Sequence, residues 1–230
     1  MTENKKENLN NRMIKFLFEG APVRGACVQM AEEWQEMIKF HHYPENVAAL
    51  LGQFTAGALL LSSTIKFEGS LILQVKGSGP IAFIYAEVRN PMSVRAMAEI
   101  REGAEIKPEM DLQELINKDG KGLCALILDP KDRRPGVQPY QRMVSLESNS
   151  VAENLENYMA KSEQLETKLY LAADCKKLGG LVIQKMPSVG GNVSEISDPD
   201  AWGRIMQLAH TVTKEELLNV PATDVLHRLF

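Results

Sequence analysis

The stretch NVAALLGQFTAGALLLSSTI, Asn46 to Ile65, decides how the rest of this chain is read. Its twenty uncharged residues are long enough to span a bilayer. Its composition argues against that. Asn46, Gln53, Thr55, Ser62, Ser63 and Thr64 are polar, and neither an aromatic belt nor a basic cluster flanks the segment. Small residues (Ala48, Ala49, Gly52, Ala56, Gly57, Ala58) are interspersed with Leu50, Leu51, Leu59, Leu60 and Leu61. A helix that is apolar all round and rich in small side chains belongs inside a protein, where neighbouring elements approach closely. The segment predicts a buried central helix and no membrane span.

Outward from this helix the periodicity is mostly that of strands. On the N-terminal side, Met13–Phe18 and Pro22–Met30 are β-prone, and Ala31–His41 reads as a helix broken by Tyr43-Pro44. On the C-terminal side, Leu71–Lys76, Ile81–Val88 and Val94–Ile100 are joined by Gly77-Ser78-Gly79-Pro80 and Asn90-Pro91, which predicts an antiparallel meander. Asp111–Ile116 is a helical turn, Leu123–Leu128 and Tyr140–Leu146 are strands, and Asp129–Gly136 is a loop. Ser150 and Glu153 suggest a capping box for a helix whose apolar face is Val151, Leu155, Tyr158 and Met159. Leu169–Ala173 alternates, the segment from Cys175 to Gly180 reads as a turn, and Leu181–Gln184 as a strand. Beyond a boundary near Val189 the pattern is helical. Asp198-Pro199 opens one helix, Thr213 and Glu216 cap a second, and Pro221 starts a third with Val225, Leu226, Leu229 and Phe230 on one face.

The fold class that follows is α+β: antiparallel sheets packed around a buried central helix, followed by a short helical linker region. The expected organisation is a disordered tail over 1–12, a core domain over 13–189 and a helical linker over 190–230. At 230 residues the chain can bury roughly 70 to 75% of its unfolded surface, so no disulfide scaffold is required. With 26 Lys+Arg against 30 Asp+Glu it lacks the basic excess of a nucleic-acid binder. The three cysteines, Cys27, Cys124 and Cys175, have no short spacing that would suit a zinc finger. Free thiols behind a polar start, MTENKKENLNN, point to the cytoplasm.

Candidate chemistry is sparse. A phosphate cradle would need a helix after Gly77-Ser78-Gly79-Pro80, and a strand follows, so a hairpin turn is expected. Adjacent His41 and His42 point about 100° apart on a helix and cannot clasp one ion as an i, i+4 pair would. Cys175 beside Lys176 and Lys177 is the most reactive-looking thiol, because cations favour thiolate, but without a resolving cysteine nearby it reads as an exposed, incidental turn thiol. Cys27 and Cys124 read as small buried hydrophobes. Lys131, Arg133 and Arg134 alternate with Asp129 and Asp132 in a solvated loop, and Ser162-Glu163-Gln164 lacks a nucleophile elbow. No catalytic, cofactor-binding or metal residue is proposed, which favours a binding protein over an enzyme.

The pieces nevertheless match one family in order. They are Phe18-Glu19 with Val23-Arg24-Gly25, the segment Thr64–Gly69, Gly77–Pro80, Tyr140-Gln141 with Val144 and Leu146-Glu147, and Tyr158 with Ser162–Leu165 and Thr167. Gly179-Gly180, Gln184, Met186-Pro187, Thr213–Leu218 and Asp224–Leu226 with Arg228-Leu229 complete the set. The chain resembles heat-shock protein 33, the redox-regulated holdase chaperones. The resemblance implies an ATP-independent holdase, not an enzyme, that binds unfolding polypeptides under heat or oxidative stress, forms homodimers and works in the cytoplasm. It also implies a C-terminal switch in which C-x-C and C-x-x-C hold zinc. Neither motif occurs among the 230 residues, so zinc binding is not carried over and no cofactor is expected in this chain. The helices after Val189 are expected to lie on the core sheet as a removable cover. The rival expectations are a thiol enzyme using Cys27 or Cys175, and a scaffold for one folded partner.

Overall fold

A computed structural model describes residues 11–65, 67–89, 93–132, 136, 138–186, 198 and 200–230. The elements there run β1 (Arg12–Leu17), β2 (Val23–Met30), α1 (Glu32–Ile38), α2 (Glu45–Thr64), β3 (Gly69–Lys76), β4 (Ile81–Arg89), β5 (Ser93–Ile100) and α3 (Leu112–Ile116). They continue with β6 (Leu123–Pro130), β7 (Tyr140–Ser145), α4 (Val151–Ser162), β8 (Thr167–Ala173), β9 (Leu178–Lys185), α5 (Ala201–Ala209), α6 (Lys214–Asn219) and α7 (Ala222–Leu229). The strands form two antiparallel sheets, ordered β1-β2-β9-β8 and β5-β4-β3-β6-β7. The class is α+β.

Helix α2 lies between the two sheets and packs on both. It is long and apolar enough to cross a membrane, yet most of it is buried inside the protein. Its polar residues are neutralised locally. The hydroxyls of Thr55, Ser62, Ser63 and Thr64 donate to the carbonyls of Leu51, Leu59, Leu60 and Leu61 at 2.6–2.9 Å. Its small residues set the approach of its neighbours. A methyl group on Gly52 would stand 2.4 Å from the Ala173 Cβ and 3.2 Å from the Trp34 ring. Trp34 is fully buried and donates its indole N–H to the Asp174 carbonyl at 2.8 Å.

Side chains engage one residue on each of two edge strands. The Tyr43 hydroxyl donates to the Ala98 carbonyl and accepts from the Ala98 N–H, both at 2.9 Å, on the open side of β5. On β8, the Leu169 N–H donates to a Glu156 carboxylate oxygen at 2.8 Å, and Lys168 pairs with the same carboxylate.

The structure corrects several boundaries. Gly179 and Gly180 lie inside β9 and not in a turn. The turn closes earlier, where Asp174 accepts the N–H groups of Lys176 and Lys177 at 2.6 and 2.7 Å. Each glycine then faces a helix: added methyls would meet the Leu217 carbonyl oxygen of α6 at 2.2 Å and Leu60 of α2 at 2.8 Å. The box at Ser150 is half formed. Ser150 accepts the Glu153 N–H at 3.3 Å, but the Glu153 carboxylate turns to the Ser148 hydroxyl, which itself takes the Ser150 N–H. The first strand begins at Arg12, inside the expected tail, because Arg12 pairs with Gln29. Strand β6 runs through Asp129-Pro130, and α5 starts only at Ala201, with Asp198 accepting the Asp200 N–H at 2.9 Å. Residues 1–10, Asn90-Pro91, Arg133, Arg134, Pro199 and the boundary at Val189 lie outside the described residues.

Candidate functional site: a covered sheet face

Strand alternation gives the four-stranded sheet two faces. Toward α2 it presents Ala26, Val28, Met30, Leu169, Leu171 and Val182. Toward the other side it presents Val23, Cys27, Ala172, Leu181 and Ile183. Helices α5, α6 and α7 lie on this second face, burying Ile205, Ala209, Leu217, Ala222, Val225 and Leu229 against it. The two sides of one sheet thus serve two separate apolar clusters, one shared with α2 and one closed by short helices. Phe230 packs its half-exposed ring on Phe18, with centroids 4.8 Å apart.

The cover has its own polar bracing. The Thr213 hydroxyl accepts the Glu216 N–H at 3.1 Å while the Glu216 carboxylate accepts the Thr213 N–H at 2.9 Å, completing the expected capping box of α6. Arg228 of α7 pairs with the same carboxylate at 2.6 Å. At the rim, the Tyr170 hydroxyl meets His210 Nδ1 at 2.9 Å and Lys177 donates to Asn219 at 2.9 Å.

The Thr213 backbone N–H first, then the Thr213 hydroxyl and Arg228, hold the Glu216 carboxyl below the usual glutamate range. Its folded value is depressed, so its stabilisation is complete above the unfolded value and is lost as pH falls through the folded one. Protection of α6–α7 amides from hydrogen exchange, corrected for intrinsic rates, is therefore expected to drop as pH falls below the ordinary glutamate range. Glu216→Gln should flatten that part of the profile; an unchanged profile would remove Glu216 from the bracing.

The residues singled out by sequence are scattered. Cys27 is fully buried beneath the cover, Cys124 is buried on β6, and burial pushes both thiols up to about 12. Cys175 is exposed, but its thiol is not activated. Partial burial raises its pKa, Glu45 and Asp174 add to the rise, and Lys176 opposes it without prevailing. Cys175 is thus the exposed turn thiol that the sequence predicts, and partial burial, ahead of the acidic groups, outweighs the neighbouring lysine. Gly77–Pro80 is the β3–β4 turn, with the Gly77 N–H donating to the Ala82 carbonyl at 2.9 Å. His41 stacks on Tyr43 with centroids 5.0 Å apart. Glu163 accepts the Tyr158 hydroxyl at 2.6 Å. Among the described residues no cluster of three His, Cys, Asp or Glu could hold a metal ion. Two buried thiols and one exposed one, without a C-x-C or C-x-x-C spacing, do not fit a zinc site.

Two polar groups escaped sequence reading. On the α2 side of the sheet, the Arg24 guanidinium donates to the Gln184 side-chain oxygen at 3.0 Å, and Gln184 donates to Thr167 at 2.7 Å. Arg24, Tyr158 and Glu163, all carriers of the resemblance, line one cavity of about 170 Å³. On the cover side, Gln29 is buried on a strand face otherwise made of Val23, Gly25 and Cys27. A lone glutamine at an inward position of VRGACVQM was the available signal.

The feature that defines this fold is an α+β core with one apolar sheet face lying under three small helices. Comparison with known proteins places it more closely. The Hsp33 protein family model matches residues 11–230. A 33 kDa chaperonin of Neisseria gonorrhoeae is 40% identical over 223 residues, covering 97% of this chain and 70% of that one. One from Methylobacillus flagellatus is 37% identical, covering 96% and 72%. The crystal structure of the Thermotoga maritima Hsp33 homologue superposes with a TM-score of 0.73 at 21% identity, over 96% of this chain and 75% of that one. The chain belongs to the Hsp33 family.

Proposed function

We propose that this protein is a chaperone that holds unfolding polypeptides without ATP, through the sheet face that α5–α7 cover. The observation that carries the reading is the composition of that interface. Val23, Cys27, Leu181 and Ile183 form a contiguous apolar surface of the kind that binds other chains when it is exposed. The helices that close it have only 9, 6 and 8 residues, below the roughly 12 to 15 at which an isolated helix becomes stable. Such a cover depends on its packing and on a few hydrogen bonds to the sheet side, so modest heating is expected to lift it. Membership in a family whose curated relatives are named chaperonins supports the same reading. The proposal extends to cytoplasmic action during heat or oxidative stress, to homodimers, and to 190–230 as a linker distinct from the core. Redox control belongs to C-x-C and C-x-x-C motifs that these 230 residues do not contain.

The test is light scattering from a thermally unfolding enzyme mixed with the full chain in nucleotide-free buffer. Scattering should fall as the chaperone is added, and more steeply after the chaperone has been warmed. Scattering no lower than with an inert protein of equal size, at every temperature, would overturn the reading.

A further inference from the structure

We propose that Gln29 is the latch of the helical cover: one buried amide that caps two helices at once and makes α6 and α7 leave the sheet together. This rests on the reading of α5–α7 as a removable cover. Gln29 stands on β2 at the register position opposite Gly179 of β9, and it is almost wholly buried. Its Nε2 donates to the Leu217 carbonyl at 2.9 Å and to the Val220 carbonyl at 2.6 Å. Its Oε1 accepts the Ala222 N–H at 2.8 Å.

The three partners have a common property. Leu217 and Val220 offer carbonyls at the C-terminal end of α6, where the helix itself supplies no donor. Ala222 is the first residue of α7, so its N–H has no acceptor within that helix. The α6–α7 junction therefore has orphan acceptors on one side and an orphan donor on the other. A side-chain amide has two donors and an acceptor on one planar group and can serve both sides together. The cap comes from the sheet and not from the helices' own sequence.

Gly179 completes the fit. Because it has no side chain, the Leu217 carbonyl can descend onto the strand beside Gln29; a Cβ there would lie 2.2 Å from that oxygen. Among the described residues, the other side-chain hydrogen bonds from the sheet and its β8–β9 turn to the cover, Tyr170–His210 and Lys177–Asn219, are exposed, where water competes for both partners. Gln29 is different because its bonds are shielded. Lifting α6 alone would leave the amide N–H groups without acceptors in a still-closed interface, and lifting α7 alone would strand the Ala222 N–H. When both go, water reaches every group and the penalty disappears. The latch thus penalises half-open states more than the open one.

The test compares the full chain with Gln29→Met, Gln29→Ala and Gly179→Ala by hydrogen exchange and by alkylation of Cys27. Met keeps the volume of Gln and removes all three bonds. Exchange at Leu217–Val225 should quicken about tenfold or more in Gln29→Met, as the loss of buried hydrogen bonds implies. Cys27 alkylation should quicken in parallel, while α2 amides and Cys124 stay at wild-type rates. Gly179→Ala, which leaves the amide in place, should accelerate the same set. The latch is overturned by Gln29→Met exchanging like the wild type, by Met protecting where Ala does not, or by equal acceleration in α2. Accelerated cover exchange with unaltered client protection would uphold the latch and count against the chaperone reading, so the two failures are distinguishable.

Discussion

Replacing Leu217 by aspartate in the full chain is expected to yield a protein that suppresses client aggregation without prior warming. Leu217 is almost completely buried and points from α6 into the apolar cluster between cover and sheet. The substitution removes a buried leucine, worth about 2–5 kcal/mol in well-packed sites. It also places a carboxylate where its neighbours are apolar, which adds several kcal/mol unless the group escapes to water. The short helices hold no comparable reserve, so the escape route is opening of the cover. The core should not follow, because α2 and its cluster share no side chain with this interface. The expected readings are faster Cys27 alkylation, more binding of a hydrophobic dye, and protection of a heated client at a lower molar ratio than the wild type needs. Glu215→Lys, on the exposed side of the same helix, should behave like the wild type. An open cover that still failed to protect the client would mean that the sheet face is not the binding surface.

The second large effect is expected at Trp34. Trp34→Ala removes a fully buried indole and the donor to the Asp174 carbonyl. Such truncations cost about 3–5 kcal/mol, against a total stability of roughly 5–15 kcal/mol. For a chain of this size each kcal/mol moves the melting temperature by about 2–4 °C, so a fall of about 6–20 °C is expected in a calorimetric scan. Gly52→Ala probes the same junction from the other side. Its methyl would meet the Ala173 Cβ at 2.4 Å, and neither atom can rotate away, so it too should destabilise. Wild-type melting in both variants would show that α2 does not need its close approach to the sheet.

Much of this architecture is legible in the chain, for reasons that differ by element. The helix at Glu45–Thr64 is visible because a long uncharged run full of small residues has one sensible place to go. The meander β3-β4-β5 is visible because turn residues interrupt period-2 alternation at regular intervals. The glycines of β9 mislead for a physical reason. Locally Gly179-Gly180 has turn chemistry, but its role is set by helices distant in sequence that need bare backbone to rest on. The Ser150 box fails because Ser148, two residues earlier, competes for Glu153. Cys175 is exposed as expected, but the partial burial and the Glu45 charge that raise its thiol arrive only through folding. The site itself is half legible. The amphipathic helices after Val189 announce a face to be covered, but nothing local says that Gln29 is what their junction meets.

The side chains seated on the margins of β5 and β8 matter beyond stability. A bare sheet edge is a template on which any extended chain can add itself as another strand, and repetition of that act is how fibrils grow. In a protein whose proposed partners are extended and sticky, the Tyr43 hydroxyl on Ala98 and the Glu156 carboxylate on Leu169 interrupt the row of backbone groups that such growth would use. At those two borders, contact with damaged chains is steered away from endless ribbon-building.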